Sequence, residues 1–163
     1  MIIGIDPGQK GGIAVLAGNA LLALYPMPVI QEGSKNILDE FRLRKILGEH
    51  KTPDTHVFLE KCQSMPGQGV SSTFRYGTGY GILRGICLGL DIRRTLVGPR
   101  TWKKTILADT PKDKAAAIQI VHQLFPGVDL RVTPRCRKDS DGLADAVCIA
   151  EYGRRLLSPK VSN

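Results

Sequence analysis

The sequence predicts an α/β domain built on a mixed five-stranded sheet flanked by helices, and three observations carry that expectation. Three apolar, β-branched segments separated by tight turns open the chain. Strand-like and helix-like periodicity then alternate, and the pattern closes on a long helical run. A chain of 163 residues, 42% hydrophobic and 23% charged, suits one globule with a buried core. The single domain is set at residues 1–157, with a short tail at 158–163.

The elements read in order. Residues 1–6 form an apolar strand that ends on Asp6 before the Pro7-Gly8 turn. Residues 11–16 make the second strand, Gly18-Asn19 the turn, and residues 20–27 the third, closed by Pro26 and Pro28. That is an antiparallel meander. Residues 37–48 carry a partly helical pattern that stops at Gly48. The fourth strand, residues 55–60, again finishes on a carboxylate, Glu60. A helix over residues 70–90 follows, with Gly77, Gly81, Gly85 and Gly89 spaced by four along one stripe. Each costs about 1 kcal/mol of helix propensity, so the stripe implies close packing, against either the domain's own sheet or a second subunit. Residues 91–97 give a fifth strand, 100–107 a short helix, and 112–124 another helix opened by Thr110-Pro111. After an irregular basic stretch, residues 140–157 are helical with Ser140 as N-cap.

Composition narrows the function. No apolar run approaches the roughly 20 residues that span a bilayer, and no signal-peptide pattern opens the chain, so no membrane partner is expected. Cys62, Cys87, Cys136 and Cys148 contain no CxxC pair and the three histidines no HxxxH, which suggests neither a zinc site nor a disulfide framework and fits a reducing cytoplasm. The formal charge of +8 points to a polyanionic partner.

Two acids at the C-terminal ends of apolar strands are unusual, because a charge beside a core loses hydration unless something compensates it. On neighbouring parallel strands Asp6 and Glu60 would stand about 5 Å apart, close enough to share a cation. Asp141 and Asp145, one turn apart, can lean from one face of the last helix toward the same point. Oxygen ligation without histidine suits Mg²⁺ or Mn²⁺. The plainer alternatives are a turn cap for Asp6, a strand-end ion pair for Glu60, and first-turn dipole acids for Asp141 and Asp145. With those four set aside, 23 basic side chains face 11 acids, a small acidic pocket on a basic body. That is the layout of a metal-dependent phosphodiesterase acting on nucleic acid. Lys103 is placed to stabilise phosphate charge or the leaving oxygen. Lys10, Arg75, Arg100, Lys104, Arg135, Arg137 and Lys138 are the candidate DNA-backbone contacts. Trp102 reads as a core anchor or a base-stacking residue, and Met65, Phe74 and Tyr76 share that ambiguity.

The motifs Gly4-Ile-Asp6-Pro-Gly8, Phe58-Leu-Glu60, Pro99-Arg-Thr-Trp-Lys103 and Asp141-Gly-Leu-Ala-Asp145, spread over most of the chain, resemble those of the RuvC-type Holliday junction resolvases. The Met65 to Gly69 segment is similar to the short phage and mitochondrial-like branch. The resemblance implies an RNase H-like fold and a homodimer with two active sites, formed through the glycine-striped helix. It also implies nicking of branched DNA (four-way junctions, forks and flaps) with two Mg²⁺ or Mn²⁺ ions per site. Asp6, Glu60 and Asp145 match the family's carboxylates and Lys103 its active-site lysine. Two departures stand out. The bacterial pattern puts its second helix acid three residues before Asp145, where this chain has Gly142 and offers Asp141 instead. The aromatic wedge expected three residues after the glutamate is Gln63 here. Two other readings compete: a non-catalytic basic DNA-binding module, and a phosphotransferase of the actin and sugar-kinase superfold, whose first strand ends in a similar turn.

Overall fold

A computed structural model describes residues 1–63, 67, 69–108, 110 and 115–158. The expected helix start at residue 112, the tail beyond 158 and Met65 lie outside those residues. The strands are β1 (Ile2–Asp6), β2 (Gly12–Ala17), β3 (Ala20–Pro26), β4 (Val29–Glu32), β5 (Lys35–Leu38), β6 (His56–Glu60) and β7 (Arg93–Val97). The helices are α1 (Glu40–Glu49), α2 (Val70–Gly89), α3 (Pro99–Ile106), α4 (Ala116–Leu124) and α5 (Asp141–Leu157).

The main sheet has the order β3-β2-β1-β6-β7. The β1–β2–β3 meander is antiparallel, and β1, β6 and β7 run parallel. This is the expected mixed five-stranded sheet. The sequence reading missed a separate two-stranded hairpin, β4–β5. Ile37 and Leu38, expected to open the first helix, lie in its second strand. Asp39 explains the difference, since its carboxylate accepts the Arg42 amide at 2.9 Å and so starts α1 at Glu40, three residues after Ile37. Between β3 and α1, Gln9 Nε2 donates to the Asn36 carbonyl at 2.6 Å and ties the hairpin to the turn after β1.

Strand alternation sorts the core into two layers. Ile3, Ile5, Ile13, Val15, Val57 and Leu59 face α1 and α2, whereas Ala14, Leu16, Phe58 and Val97 face α3, α4 and α5. Within the second layer α5 lies directly on β1 and β2. A Cβ added at Gly4 would stand 2.3 Å from both the Ala146 carbonyl oxygen and the Ala150 nitrogen. At Gly142 it would stand 2.0 Å from the Lys10 carbonyl oxygen, and at Gly153 2.3 Å from the Phe58 ring. Farther along α5, Glu151 is buried and accepts from Arg154 Nε at 2.6 Å and Arg155 Nε at 2.7 Å. Arg154 also reaches Asn19 Oδ1 at 2.9 Å, pinning this end of the helix to the β2–β3 turn.

The glycine stripe of α2 does not pack on the sheet. Gly79, Leu83 and Cys87 make the buried face, and a Cβ at Gly77, Gly81, Gly85 or Gly89 would meet nothing within 4 Å. Of the two packing partners the stripe suggested, the domain's own sheet is therefore excluded. The helix ends where Asp91 takes φ 50°, a left-handed position that a short polar side chain tolerates. No described helix is long and apolar enough to cross a membrane. Cys87 and Cys148 are buried, Cys62 and Cys136 partly so, and all four are free thiols.

The close approach of α5 gives a direct test. Gly4→Ala should destabilise the fold by roughly 3 kcal/mol, the upper part of the range for overpacked cores. Gly48→Ala in α1, whose new methyl meets no atom within 4 Å, should stabilise it by about 0.5–1 kcal/mol. Urea unfolding of the two variants checks both signs.

Candidate active site

The residues predicted for chemistry come from four elements. The parallel register that pairs Ile5 with Leu59 brings Asp6 and Glu60 side by side at the C-terminal ends of β1 and β6. Both side chains project to the α5 side, because Ile5 and Leu59 belong to the opposite core layer. Asp145, in the second turn of α5, is carried over the same sheet end by the contact of that helix with Gly4.

Each carboxylate is held by local structure. The Gly8 amide donates to Asp6 Oδ1 at 3.4 Å. Trp102 is fully buried in α3 and donates its indole N–H to Glu60 Oε2 at 2.6 Å. This settles the ambiguity over Trp102: it is a core anchor whose polar edge serves Glu60. Pro99 starts α3 and Trp102 stands one turn later, so Lys103 follows directly, with Nζ 5.1 Å from the indole centroid.

Burial and mutual repulsion weaken these acids. Asp6 is pushed up to about 7, first by loss of hydration and then by Glu60, with a smaller contribution from Asp145. Asp145 is raised to about 6, mainly by burial, with Glu60 and Asp141 adding to it and Lys103 opposing. Burial also lifts Glu60, against the Trp102 hydrogen bond and Lys103. Lys103 is thus a cation whose field reaches all three carboxylates.

Asp141 joins this group only at its edge. It is exposed in the first turn of α5, and its field raises Asp145. Among the described residues no three His, Cys, Asp or Glu side chains close on one common point, so the expected four-carboxylate cage is not formed as such. The like charges of Asp6, Glu60 and Asp145 oppose each other's ionisation instead of converging. The donor set is still one of carboxylate oxygens alone, and two of its acids are held above the ordinary range by burial and by the like charge of their neighbours. It fits a hard divalent cation, which Asp6, Glu60 and Asp145 would hold.

Two neighbours escaped the sequence reading as a pair. Cys62, two residues beyond Glu60, lies within hydrogen-bonding reach of the Tyr76 hydroxyl of α2. Burial pushes this thiol up to about 11, so it stands beside Asp6 and Glu60 as a neutral group. Of the residues left between core and stacking roles, Phe74 is 75% exposed and Tyr76 half-buried, and Gln63, at the wedge position, is exposed. Among the candidate backbone contacts, Lys10 sits in the turn packed on the start of α5, and its side chain is exposed. Arg135, Arg137 and Lys138 are exposed just before that helix, Arg100 and Lys104 on α3, and Arg75 on α2. Arg131, in the same basic stretch, is instead clamped by Asp129 through two hydrogen bonds of 2.8 Å.

The chain superposes on Thermus thermophilus RuvC with a TM-score of 0.58 at 17% identity, covering 95% of each chain. A second structure, T. thermophilus RuvC in complex with Holliday junction substrate, gives a TM-score of 0.62 at 16% identity over 95% of this chain and 94% of that one. The fold is that of the RuvC-type resolvases. No protein-family model matches the chain, and no curated protein gives a significant sequence match. In this chain the parallel pairing of β1 with β6 sets Asp6 beside Glu60, and the close seating of α5 on Gly4 lays the last helix across both.

The raised acids dictate how stability depends on pH. Between pH 4 and 7 the folded protein without metal holds protons on Asp6 and Asp145 that the unfolded chain has released. Stability from these groups is therefore complete below about pH 4 and lost as pH rises through 6 to 7. Asp6→Asn should abolish most of that loss and stabilise the metal-free protein above pH 7, by at most about 4 kcal/mol for a shift of three pH units. Thermal unfolding in EDTA from pH 5 to 9 checks it: the wild-type and variant curves should separate as pH rises.

Proposed function

We propose that the chain is a metal-dependent, structure-selective endonuclease that nicks four-way DNA junctions, with forks and flaps as further branched substrates. The observation that supports this most is the group of three part-buried carboxylates, Asp6, Glu60 and Asp145, with Lys103 in electrostatic reach of each, at one end of a RuvC fold. Buried acids that resist ionisation are a liability to a merely structural site and an asset to one that takes up cations.

Two Mg²⁺ or Mn²⁺ ions, when bound, supply a water of lowered pKa and positive charge for the leaving oxygen. The protein's own groups do the rest. Asp6, Glu60 and Asp145 would hold the cations, and Trp102 keeps the Glu60 carboxylate from rotating by fixing Oε2. The Gly8 amide does the same for Asp6. Lys103 offers its ammonium to the phosphate charge that grows during in-line attack, on a reaction leaving 5′-phosphate and 3′-hydroxyl ends. Asp141, exposed and one turn before Asp145, acts through its field and through solvent. Exposed Lys10, Arg100, Lys104, Arg135, Arg137 and Lys138 flank this end of the sheet and grip the DNA backbone, with Arg75 on α2. The outward glycine stripe of α2 is the surface proposed to meet a second copy, so that two sites act on one junction. The free thiols and basic surface suit a cytoplasmic setting, and a phage-encoded role in processing recombination intermediates is consistent with it.

A labelled four-way junction incubated with Mg²⁺ or Mn²⁺ tests the reading. Wild-type protein should cut it, and Asp6→Asn or Asp145→Asn should lose at least about a thousandfold in rate while still binding the junction. Binding without scission under any divalent metal would favour the non-catalytic module. Trp102→Phe keeps the core filled but removes the donor to Glu60, and should slow cleavage roughly 10- to 100-fold with junction affinity unchanged.

A further inference from the structure

On α2, Tyr76, Tyr80 and Arg84 recur every four residues and so advance about 40° per step, along a flank between the buried face and the glycine stripe. This flank lies toward the sheet edge formed by β7. Arg94 of β7 pairs in register with Val57, whose side chain faces α2, so Arg94 projects to the same side, within electrostatic reach of Tyr80 and Cys87. The guanidinium of Arg84 stacks over the Tyr80 ring at 5.5 Å from its centroid. Tyr76, at the near end, is tied to Cys62 beside the carboxylates. Among the described residues neither Arg84 nor Arg94 has an acid within ion-pair distance, whereas Arg131, Arg154 and Arg155 do.

An ordered guanidinium without a carboxylate partner is a phosphate ligand in waiting. A ring beneath it lowers its freedom, so less is lost when an anion binds. From Tyr76 to Arg84 the helix rises about 12 Å, the axial length of three to four nucleotides of one strand. The geometry points to a second nucleic-acid contact: Arg84 and Arg94 clamp the phosphate backbone of a DNA strand that leaves the carboxylate site along the Tyr76–Tyr80 flank of α2. This rests on the nuclease reading and deepens it, because it adds a grip on an arm of the substrate away from the cut.

The test is the salt dependence of binding of a fluorescein-labelled four-way junction between 0.05 and 0.2 M NaCl in EDTA. Arg84→Ala with Arg94→Ala should lower the slope of log K against log salt by roughly 1.5 and weaken binding at 0.15 M about tenfold. Arg84→Ala alone, at an exposed site, should give half of that change in slope, and the double lysine variant should restore the slope. Cleavage at saturating junction should stay at the wild-type rate. A slope equal to that of Arg42→Ala with Lys51→Ala, two exposed cations in and after α1, overturns the clamp while leaving the nuclease reading intact. Wild-type protein that binds no junction overturns both.

Discussion

The seating of α5 on β1 governs the molecule. Helix and strand meet backbone to backbone at Gly4, where a methyl group would collide with two main-chain atoms of the helix. A contact this close cannot slide by a fraction of a residue without losing its fit, so it fixes the height and rotation of α5 over the sheet. Gly142 sets the same limit at the helix start, against the Lys10 carbonyl, and Gly153 at the far end, against the Phe58 ring. The buried Glu151, matched by Arg154 and Arg155, secures that end further. Asp145 lies between these supports, and its position over Asp6 and Glu60 follows from them.

The energetic consequence is a site that is uncomfortable by itself. Three acids lose hydration at one sheet end, and the hydrogen bonds from Gly8 and Trp102 and the field of Lys103 offset only part of the loss. The fold tolerates this because the burden is local and the surrounding core is large and apolar on both faces of the sheet. Over the rest of the surface bases outnumber acids, so a polyanion is attracted broadly while cations are attracted at one place. A surface of this kind concentrates DNA without choosing among its shapes. On the nuclease reading proposed above, selectivity would come from how grips are spaced around the site, which gives weight to distant arginines that have no acid partner among the described residues.

How much could be read from the sequence varied with the physics behind each feature. Strands ending on Asp6 and Glu60 were legible because apolar β-branched runs rarely finish on an acid, and the parallel pairing of the two followed from the meander and the alternation after it. The α5 boundaries were legible through Ser140 and the acids of the first turn. The β4–β5 hairpin was not, since its residues are mostly exposed and its pattern blends into the apolar positions of α1. Asp39 was the missed signal, a capping residue three positions before the Arg42 amide. The glycine spacing showed that α2 carries a bare stripe but not which way it points, because that depends on Leu83 and Cys87 winning the core. Trp102 was legible only as a core anchor or a base-stacking residue. Its role toward Glu60 was open to inference from the buried indole N–H, which donates only and must find an acceptor.

The departure at the start of α5 has a steric explanation. In the bacterial pattern that this sequence resembles, the second helix acid stands three residues before the position of Asp145, and that place is taken here by Gly142. No side chain fits there, since even a Cβ would lie 2.0 Å from the Lys10 carbonyl oxygen and 2.6 Å from the Gly11 Cα. The turn between β1 and β2 therefore occupies the space that an acid at residue 142 would need. An acid placed one residue earlier escapes the collision, because a step back along a helix rotates the side chain by about 100°. That rotation carries it toward solvent, and Asp141 is indeed exposed while Asp145 is not. Tight packing of this turn against α5 and a close second acid are thus alternatives for one helix start, and this chain has taken the first. The carboxylates of β1, β6 and the second turn of α5 are then the set that would hold a cation, with the first turn adding negative field from outside.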